Sequence, residues 1–352
     1  MGFFGPRRTR AYAKPLQPLI DPAGWEPVDI ERDHSWAYTF TQQDIAEITA
    51  AVENFRAAGK PLAQMRQEDF QLPRLGQVLA DARQELLEGR GFVYLRGLPV
   101  ETMGNDDAAT AYFGIGCHVG EPVSQNAQGH ILGHVKDYGR NIEDLNARGY
   151  QTTAELGFHA DHSDYVGLLC LRTAKIGGAS RFASSVTLYN RLLAMRPDLV
   201  KVLCEDFYYS RGGEIPPGKE PWYTQPAFSF VDGYFSARGL SSYVLKAQRL
   251  PGVPPFTDAQ KEAIALFRKT VSDCAVNLDF RPGDIQLLHN HVVLHSRSAY
   301  QDWPEPNRKR HLLRLWLRDR DGRPLPESVR ENFVGVEVEG TKHCAPLDLI
   351  PA

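Results

Sequence analysis

Residues 310–317 read Arg310-His311-Leu312-Leu313-Arg314-Leu315-Trp316-Leu317, an alternation that predicts a strand with two unlike faces. One face carries Arg310, Leu312, Arg314 and Trp316, and the other carries His311, Leu313, Leu315 and Leu317. The second face is apolar enough to be covered by helices, which turns the arginine face toward a barrel interior. Two guanidinium groups in such an interior are costly unless anions meet them. Arginine binds carboxylates through paired N–H groups, so a dicarboxylate ligand would be a fitting partner. The plainer reading is that each arginine pairs with an internal Asp or Glu.

Upstream of this segment, His289, His291 and His295 cluster in a predicted strand, and farther back lies Gly157-Phe158-His159-Ala160-Asp161. On an extended chain, residues two apart share a face, so His159 and Asp161 present an imidazole and a carboxylate side by side. One histidine from the distant strand would complete a two-His-one-carboxylate set. That geometry leaves half of a metal's coordination sphere open and suits non-haem iron(II). A lone His-x-Asp is weak evidence, and the third ligand is open among His289, His291 and His295 on spacing alone.

The rest of the chain supplies helices first and strands later. Residues 1–40 lack periodicity and read as an N-terminal arm, with 41–352 as one domain. Thr41-x-x-Asp44 resembles a capping box, with Ile45, Ile48, Val52 and Phe55 following at helical spacing. Leu75, Val78, Leu79, Ala82 and Leu86 predict a second helix ending at Gly89 and Gly91, before the strand Phe92-Val93-Tyr94-Leu95. Gly167 to Arg172 reads as a strand, Tyr189 to Met195 as a helix, and Pro197 as the first turn of another. Thr257 caps a further helix, and Val276, Leu278 and Phe280 alternate as a strand. Residues 211–255 are rich in Gly, Pro and aromatic residues and read as a lid or insert, with Trp222 and Tyr223, and also Tyr165, as lid candidates. This order predicts a β-barrel or sandwich backed by helices.

Composition narrows the function. The chain has 352 residues, 42% hydrophobic and 24% charged, which is ordinary for a globular protein. Lys and Arg number 40 against 43 Asp and Glu, so no basic excess exists to neutralise a nucleic-acid backbone. The short run Arg7-Arg8-Thr9-Arg10 reads as a solvated tail. No apolar run reaches membrane-spanning length and no export signal follows the arginines, so no membrane partner is expected. The five cysteines are scattered and odd in number, which predicts free thiols and a reducing, cytoplasmic setting. A homo-oligomer is compatible with the sequence, which does not fix the oligomeric state.

Taken together these segments resemble the taurine dioxygenase-like (TauD/TfdA) branch of the Fe(II)/2-oxoglutarate oxygenases. The resemblance is carried by Gly91 through Pro99, Phe158-His159-Ala160-Asp161, Gly177-Gly178-Ala179-Ser180, Gly283-Asp284-Ile285, Asn290 through His295-Ser296-Arg297, and Arg310 through Arg314. They occur in the family's order over about residues 90–320. The resemblance implies an α+β fold with a double-stranded β-helix (jelly-roll, clavaminate synthase-like) core flanked by helices. It implies His159, Asp161 and His295 as iron ligands, and Arg310 with Ser180 as the grip on the distal carboxylate of 2-oxoglutarate. Arg314 matches a position that contacts an anionic substrate group in some members, and His130 lies near a spacing used for substrate contact. Ala160 stands where Thr is common, on a side chain that points away from the metal. Because the Asp161 carboxylate is present, hydroxylation or its dealkylation and desaturation variants are implied rather than halogenation. The implied reaction consumes O₂ and 2-oxoglutarate at Fe(II), oxidises a small organic substrate, and releases succinate and CO₂. Two rivals fit parts of the pattern. A zinc hydrolase could use the same ligands but leaves the arginine face unexplained, and a non-catalytic carboxylate-binding barrel does not need the metal set.

Overall fold

The computed structural model describes residues 3–5, 9–144, 148–216, 218–336 and 340–347. Eleven strands build the barrel: β1 (Ala37–Thr39), β2 (Phe92–Arg96), β3 (Glu121–Pro122), β4 (Gly133–Val135), β5 (Leu156–His159), β6 (Tyr165–Arg172), β7 (Ser180–Ser184), β8 (Ala275–Leu278), β9 (Ile285–His289), β10 (Val293–Arg297) and β11 (His311–Arg318). The larger sheet runs β1-β2-β9-β6-β11-β3, with β4 also paired to β11, and the smaller runs β8-β7-β10-β5. All pairings are antiparallel except β1 on β2. Packed face to face, the two sheets form the expected jelly-roll of an α+β protein.

Alternation decides which side each residue serves. On β2, Phe92 and Tyr94 join the core between the sheets, whereas Val93 and Leu95 face the helices. On β11, Trp316 lies between the sheets, and Leu313, Leu315 and Leu317 meet the helices. Each such buried leucine contributes roughly 1.5–3 kcal/mol. The helices behind the larger sheet are Gln42–Ala57, Leu75–Glu88 and Asn105–Val119. Thr41 and Thr257 start their helices through reciprocal capping boxes with Asp44 and Gln260.

Residues 9–40 are aperiodic yet firmly docked. Trp25 stands edge-on to Phe92 and Phe182 at 5.4 and 5.6 Å, and its indole N–H donates to the Arg90 carbonyl at 2.9 Å. Arg10 is not solvated as expected: it pairs with Asp21 at 2.8 Å and Glu88 at 2.7 Å. Arg7 and Arg8 lie outside the described residues.

Other expectations also change. His289, His291 and His295 do not share a strand, because His289 ends β9, His291 lies in the turn, and His295 belongs to β10 in the other sheet. Residues 211–255 contain regular structure: Trp222–Pro226 pairs with Asp206–Ser210, Phe228–Val231 with Tyr234–Ala237, and Ser242–Ala247 is helical. Tyr165 is no lid residue, since it is fully buried on β6 and donates its hydroxyl to Asp319 at 2.6 Å.

One buried group makes the fold sensitive to acid. His134 can only donate from Nε2 to the Pro346 carbonyl (2.8 Å), so its Nδ1 accepts from His311 Nε2 at 2.8 Å. His311 Nδ1 in turn faces an Arg172 N–H at 3.1 Å. Burial, then His134 and Arg172, push the His311 pKa down to about 3 from 6.5. The folded state therefore takes up this proton less readily than the unfolded chain. The stability is complete above the unfolded value and is lost as pH falls from there toward 3. Between pH 7 and pH 5 this residue alone is expected to cost about 2 kcal/mol. Urea unfolding at the two pH values, with His311→Asn showing a smaller difference, checks this.

Candidate active site

Antiparallel pairing of β5 with β10 sets His159 directly opposite His295, and the two ring centroids lie 4.2 Å apart. The chain then leaves β5 and brings Asp161 onto the same face. Asn290 holds this exit, accepting from the Asp161 N–H at 3.1 Å and donating to the Ser163 carbonyl at 2.8 Å. Arg238 holds it from the other side, donating to the carbonyls of Ala160 and Asp161.

The candidate ligand atoms of His159, Asp161 and His295 all lie within 4.8 Å of one another. His159 faces the Gly157 carbonyl through Nδ1 at 2.9 Å. A carbonyl only accepts, so Nδ1 carries the proton and Nε2 is left with its lone pair, an arrangement common to metal-binding histidines. Among the described residues Asp161 Oδ2 and His295 Nδ1 are buried without a hydrogen-bond partner, and His295 Nε2 stands 3.8 Å from Asp161 Oδ2. Burial opposes the Asp161 charge, but Arg314, His295 and His159 outweigh it and hold the carboxyl well below its usual range. Burial, then His159, push His295 down to about 3 despite Asp161. The set therefore presents one anionic oxygen and two neutral imidazoles, the protonation state a divalent metal requires. Two nitrogens and one oxygen on one face fit octahedral iron(II) with open positions.

His289 and His291 are kept away from this centre. His291 Nε2 lies 2.8 Å from Asp164 Oδ1, and His289 packs against the Tyr165 and His291 rings.

Arg314 projects inward beside the carboxylate, its Nη1 3.5 Å from Asp161 Oδ1. Gln125 Oε1 accepts its Nε–H at 2.8 Å, and the rings of Tyr150 and Trp316 lie 4.9 and 4.8 Å from its guanidinium carbon. Arg148 approaches the same two rings at 5.6 and 5.7 Å and donates to the Gln125 carbonyl at 2.8 Å. His130 lines a cavity of about 570 Å³ together with Gln125, Tyr138, Tyr150 and Arg314. A smaller chamber of about 100 Å³ touches His159, Asp161, Arg148, Arg238, Tyr243 and Arg314. Tyr150 and Arg314 border both spaces.

Arg310 precedes β11 and is 4% exposed, yet its Nη1 has no hydrogen-bond partner. Gly178 leaves room for it: a Cβ there would come within 3.0 Å of Arg310 Nε. Ser180, on β7, is buried and donates its hydroxyl to Gln286 Oε1 at 3.0 Å. A buried guanidinium without an ion-pair partner among the described residues is what a dicarboxylate cosubstrate would satisfy.

Arg148 and Arg238 gave no signal in the sequence. Arg238 reaches the site from a segment far from the metal strands, whereas Arg148 lies shortly before β5, and neither sits in a recognisable spacing.

Comparison with known proteins identifies the family. The chain matches the family described as "Taurine catabolism dioxygenase TauD, TfdA family" over residues 58–316. FR-33289 synthase from Streptomyces rubellomurinus is 31% identical over 330 residues, covering 91% of this chain and 96% of that protein. Taurine hydroxylase-like protein SAT17 from Stachybotrys chartarum is 30% identical over 312 residues, covering 84% and 79% respectively. Among solved structures, asparagine oxygenase with Fe(II), 3-hydroxyasparagine and succinate superposes with a TM-score of 0.61 at 19% identity, over 80% of this chain and 93% of that one. The non-haem iron oxygenase OrfP with Fe and α-ketoglutaric acid gives 0.60 at 18% identity, over 85% of this chain and 100% of that one. With a family match across most of the chain and a clustered His-Asp-His set, this protein belongs to the TauD/TfdA family of Fe(II)/2-oxoglutarate-dependent dioxygenases.

Proposed function

We propose that this dioxygenase oxidises a small anionic molecule in the space between the iron centre and Arg314. In this reading His159, Asp161 and His295 hold the iron, Arg310 and Ser180 hold 2-oxoglutarate, and Arg314 and His130 contact the substrate. The observation that carries it is the inward-facing Arg314 guanidinium, 3.5 Å from the candidate metal carboxylate and bordering both cavities. When bound, Fe(II), 2-oxoglutarate and O₂ supply the oxidising chemistry and leave succinate and CO₂ behind.

The chain's own groups orient and shield. Gln125 and the faces of Tyr150 and Trp316 fix the Arg314 guanidinium, so little freedom is lost when an anion docks there. Once Asp161 is engaged by the metal, its charge no longer serves Arg314, and a substrate anion takes its place. The aromatic walls keep water from the reacting carbon. Asparagine oxygenase and OrfP carry hydroxylated amino acids in their structures, which supports a substrate of similar size. No described helix is long and apolar enough to cross a membrane, and all five cysteines are free. Those thiols and an iron(II) centre are consistent with work in the reducing cytoplasm.

The test is succinate release from 2-oxoglutarate across a panel of small carboxylates, sulfonates and neutral analogues. Anions are expected to stimulate release, and Arg314→Met to lower kcat/KM for them by about 10- to 100-fold while 2-oxoglutarate binding persists. Equal stimulation by neutral analogues would sink the anion assignment.

A further inference from the structure

Arg297 is a second buried guanidinium beside Arg310. It follows His295 by two residues on β10 and is 6% exposed. Its register partner across the sheet is Ser180, and directly opposed residues project to the same side. Tyr300 joins the two arginines: its ring centre lies 4.8 Å from the Arg297 guanidinium carbon and 5.2 Å from that of Arg310.

One edge of Arg297 is occupied, because Nη2 donates to the carbonyls of Thr152 and Ala154 in the segment that leads into β5. The remaining edge is not. Arg297 Nε and Nη1 and Arg310 Nη1 are buried with no hydrogen-bond partner among the described residues, and the Tyr300 hydroxyl stands beside Arg310. Among the described residues neither guanidinium has an ion-pair partner. Asp302 Oδ1 accepts from the Arg310 backbone N–H at 2.7 Å, and Asp137 acts on Arg297 only from a distance. Two like charges with three unpartnered N–H positions in one buried place are tolerated when an anion completes them.

We infer that Arg297 and Tyr300 complete the cosubstrate site, so that the distal carboxylate of 2-oxoglutarate is held between two arginines rather than by Arg310 alone. The inference rests on the assignment of 2-oxoglutarate to Arg310. Because the same Arg297 side chain holds the carbonyls of Thr152 and Ala154, it also ties the segment before β5, which carries His159, to the bound cosubstrate.

The test separates a carboxylate contact from a structural role. Anaerobic, Fe(II)-loaded protein is titrated with 2-oxoglutarate and with 2-oxopentanoate, which lacks the distal carboxylate, following the visible charge-transfer band of the chelated keto acid. Arg297→Gln retains an amide donor for the Thr152 and Ala154 carbonyls but removes the charge, and Arg297→Lys retains the charge. Arg297→Gln is expected to weaken 2-oxoglutarate about 10- to 100-fold and to leave 2-oxopentanoate nearly unchanged, with Arg297→Lys intermediate. Equal weakening of both acids, or of neither, overturns the proposal. Arg310→Gln run in parallel distinguishes the two failures. If it alone is selective, the two-arginine site is wrong and the Arg310 assignment stands; if neither variant is selective, both fall.

Discussion

An Asp161→Ala variant is expected to lose substrate oxidation by more than about 100-fold, because even outer partners of metal ligands are worth 10- to 100-fold. Only Asp161 offers the metal an anionic charge among the three clustered residues. Without it, two neutral imidazoles would face Arg314, and Coulomb repulsion would work against any divalent cation. The fold should survive the change, since Arg314 keeps Gln125 Oε1 at 2.8 Å and both aromatic faces. The measurement is the charge-transfer band on adding 2-oxoglutarate to anaerobic Fe(II)-loaded protein, with circular dichroism as the folding control. Wild type is expected to show the band and the variant to lose it. A full band in Asp161→Ala would remove this residue from the ligand set.

The second large effect is expected at Arg310. Truncating one partner of a buried, hydrogen-bonded charge pair costs about 2–5 kcal/mol, so Arg310→Met should weaken 2-oxoglutarate at least about 30-fold. Iron affinity should stay close to wild type, because none of the metal-ligating side chains touches Arg310. Arg310→Lys should recover only part of the loss, since an ammonium lacks the planar fork that meets a carboxylate. The opposite change is expected for stability. In the absence of 2-oxoglutarate the Arg310 guanidinium is buried and lacks an ion-pair partner among the described residues, and burial lowers its pKa. Arg310→Met should therefore raise the Tm of the cosubstrate-free protein while weakening the cosubstrate. Unchanged 2-oxoglutarate affinity in this variant would overturn the assignment.

Local patterns in the chain carried much of the site. The period-two alternation of β11 is enough to separate Arg314 and Trp316 from Leu313, Leu315 and Leu317, because a strand's faces follow directly from its pleat. The pair His159 and Asp161 was legible from its spacing, although the chain leaves β5 at His159 and contacts from Asn290 and Arg238 hold Asp161 on that face. The helix starts at Thr41 and Thr257 were legible because capping is a local hydrogen-bond exchange. Where expectation failed, the deciding interaction was long-range. Tyr165 reads as a lid aromatic until its hydroxyl meets Asp319, 154 residues away. Arg10 reads as part of a solvated tail until Glu88 comes within 2.7 Å.

The chemistry is therefore written in the chain itself: a His-x-Asp, a distant histidine and two arginines on one strand face, in an order that resembles one family. Residue type and alternation are local properties, and they limit what a site can bind. Which histidine faces Asp161 is a different kind of fact, because only strand pairing sets His295 opposite His159 and leaves His291 on Asp164. Folding likewise brings Arg238 to the centre, and makes Ser180 and Arg297 oppose each other beside Arg310. Each of these is a meeting of segments far apart in the chain, fixed by the register of two sheets and the burial of their shared core, which no local pattern encodes.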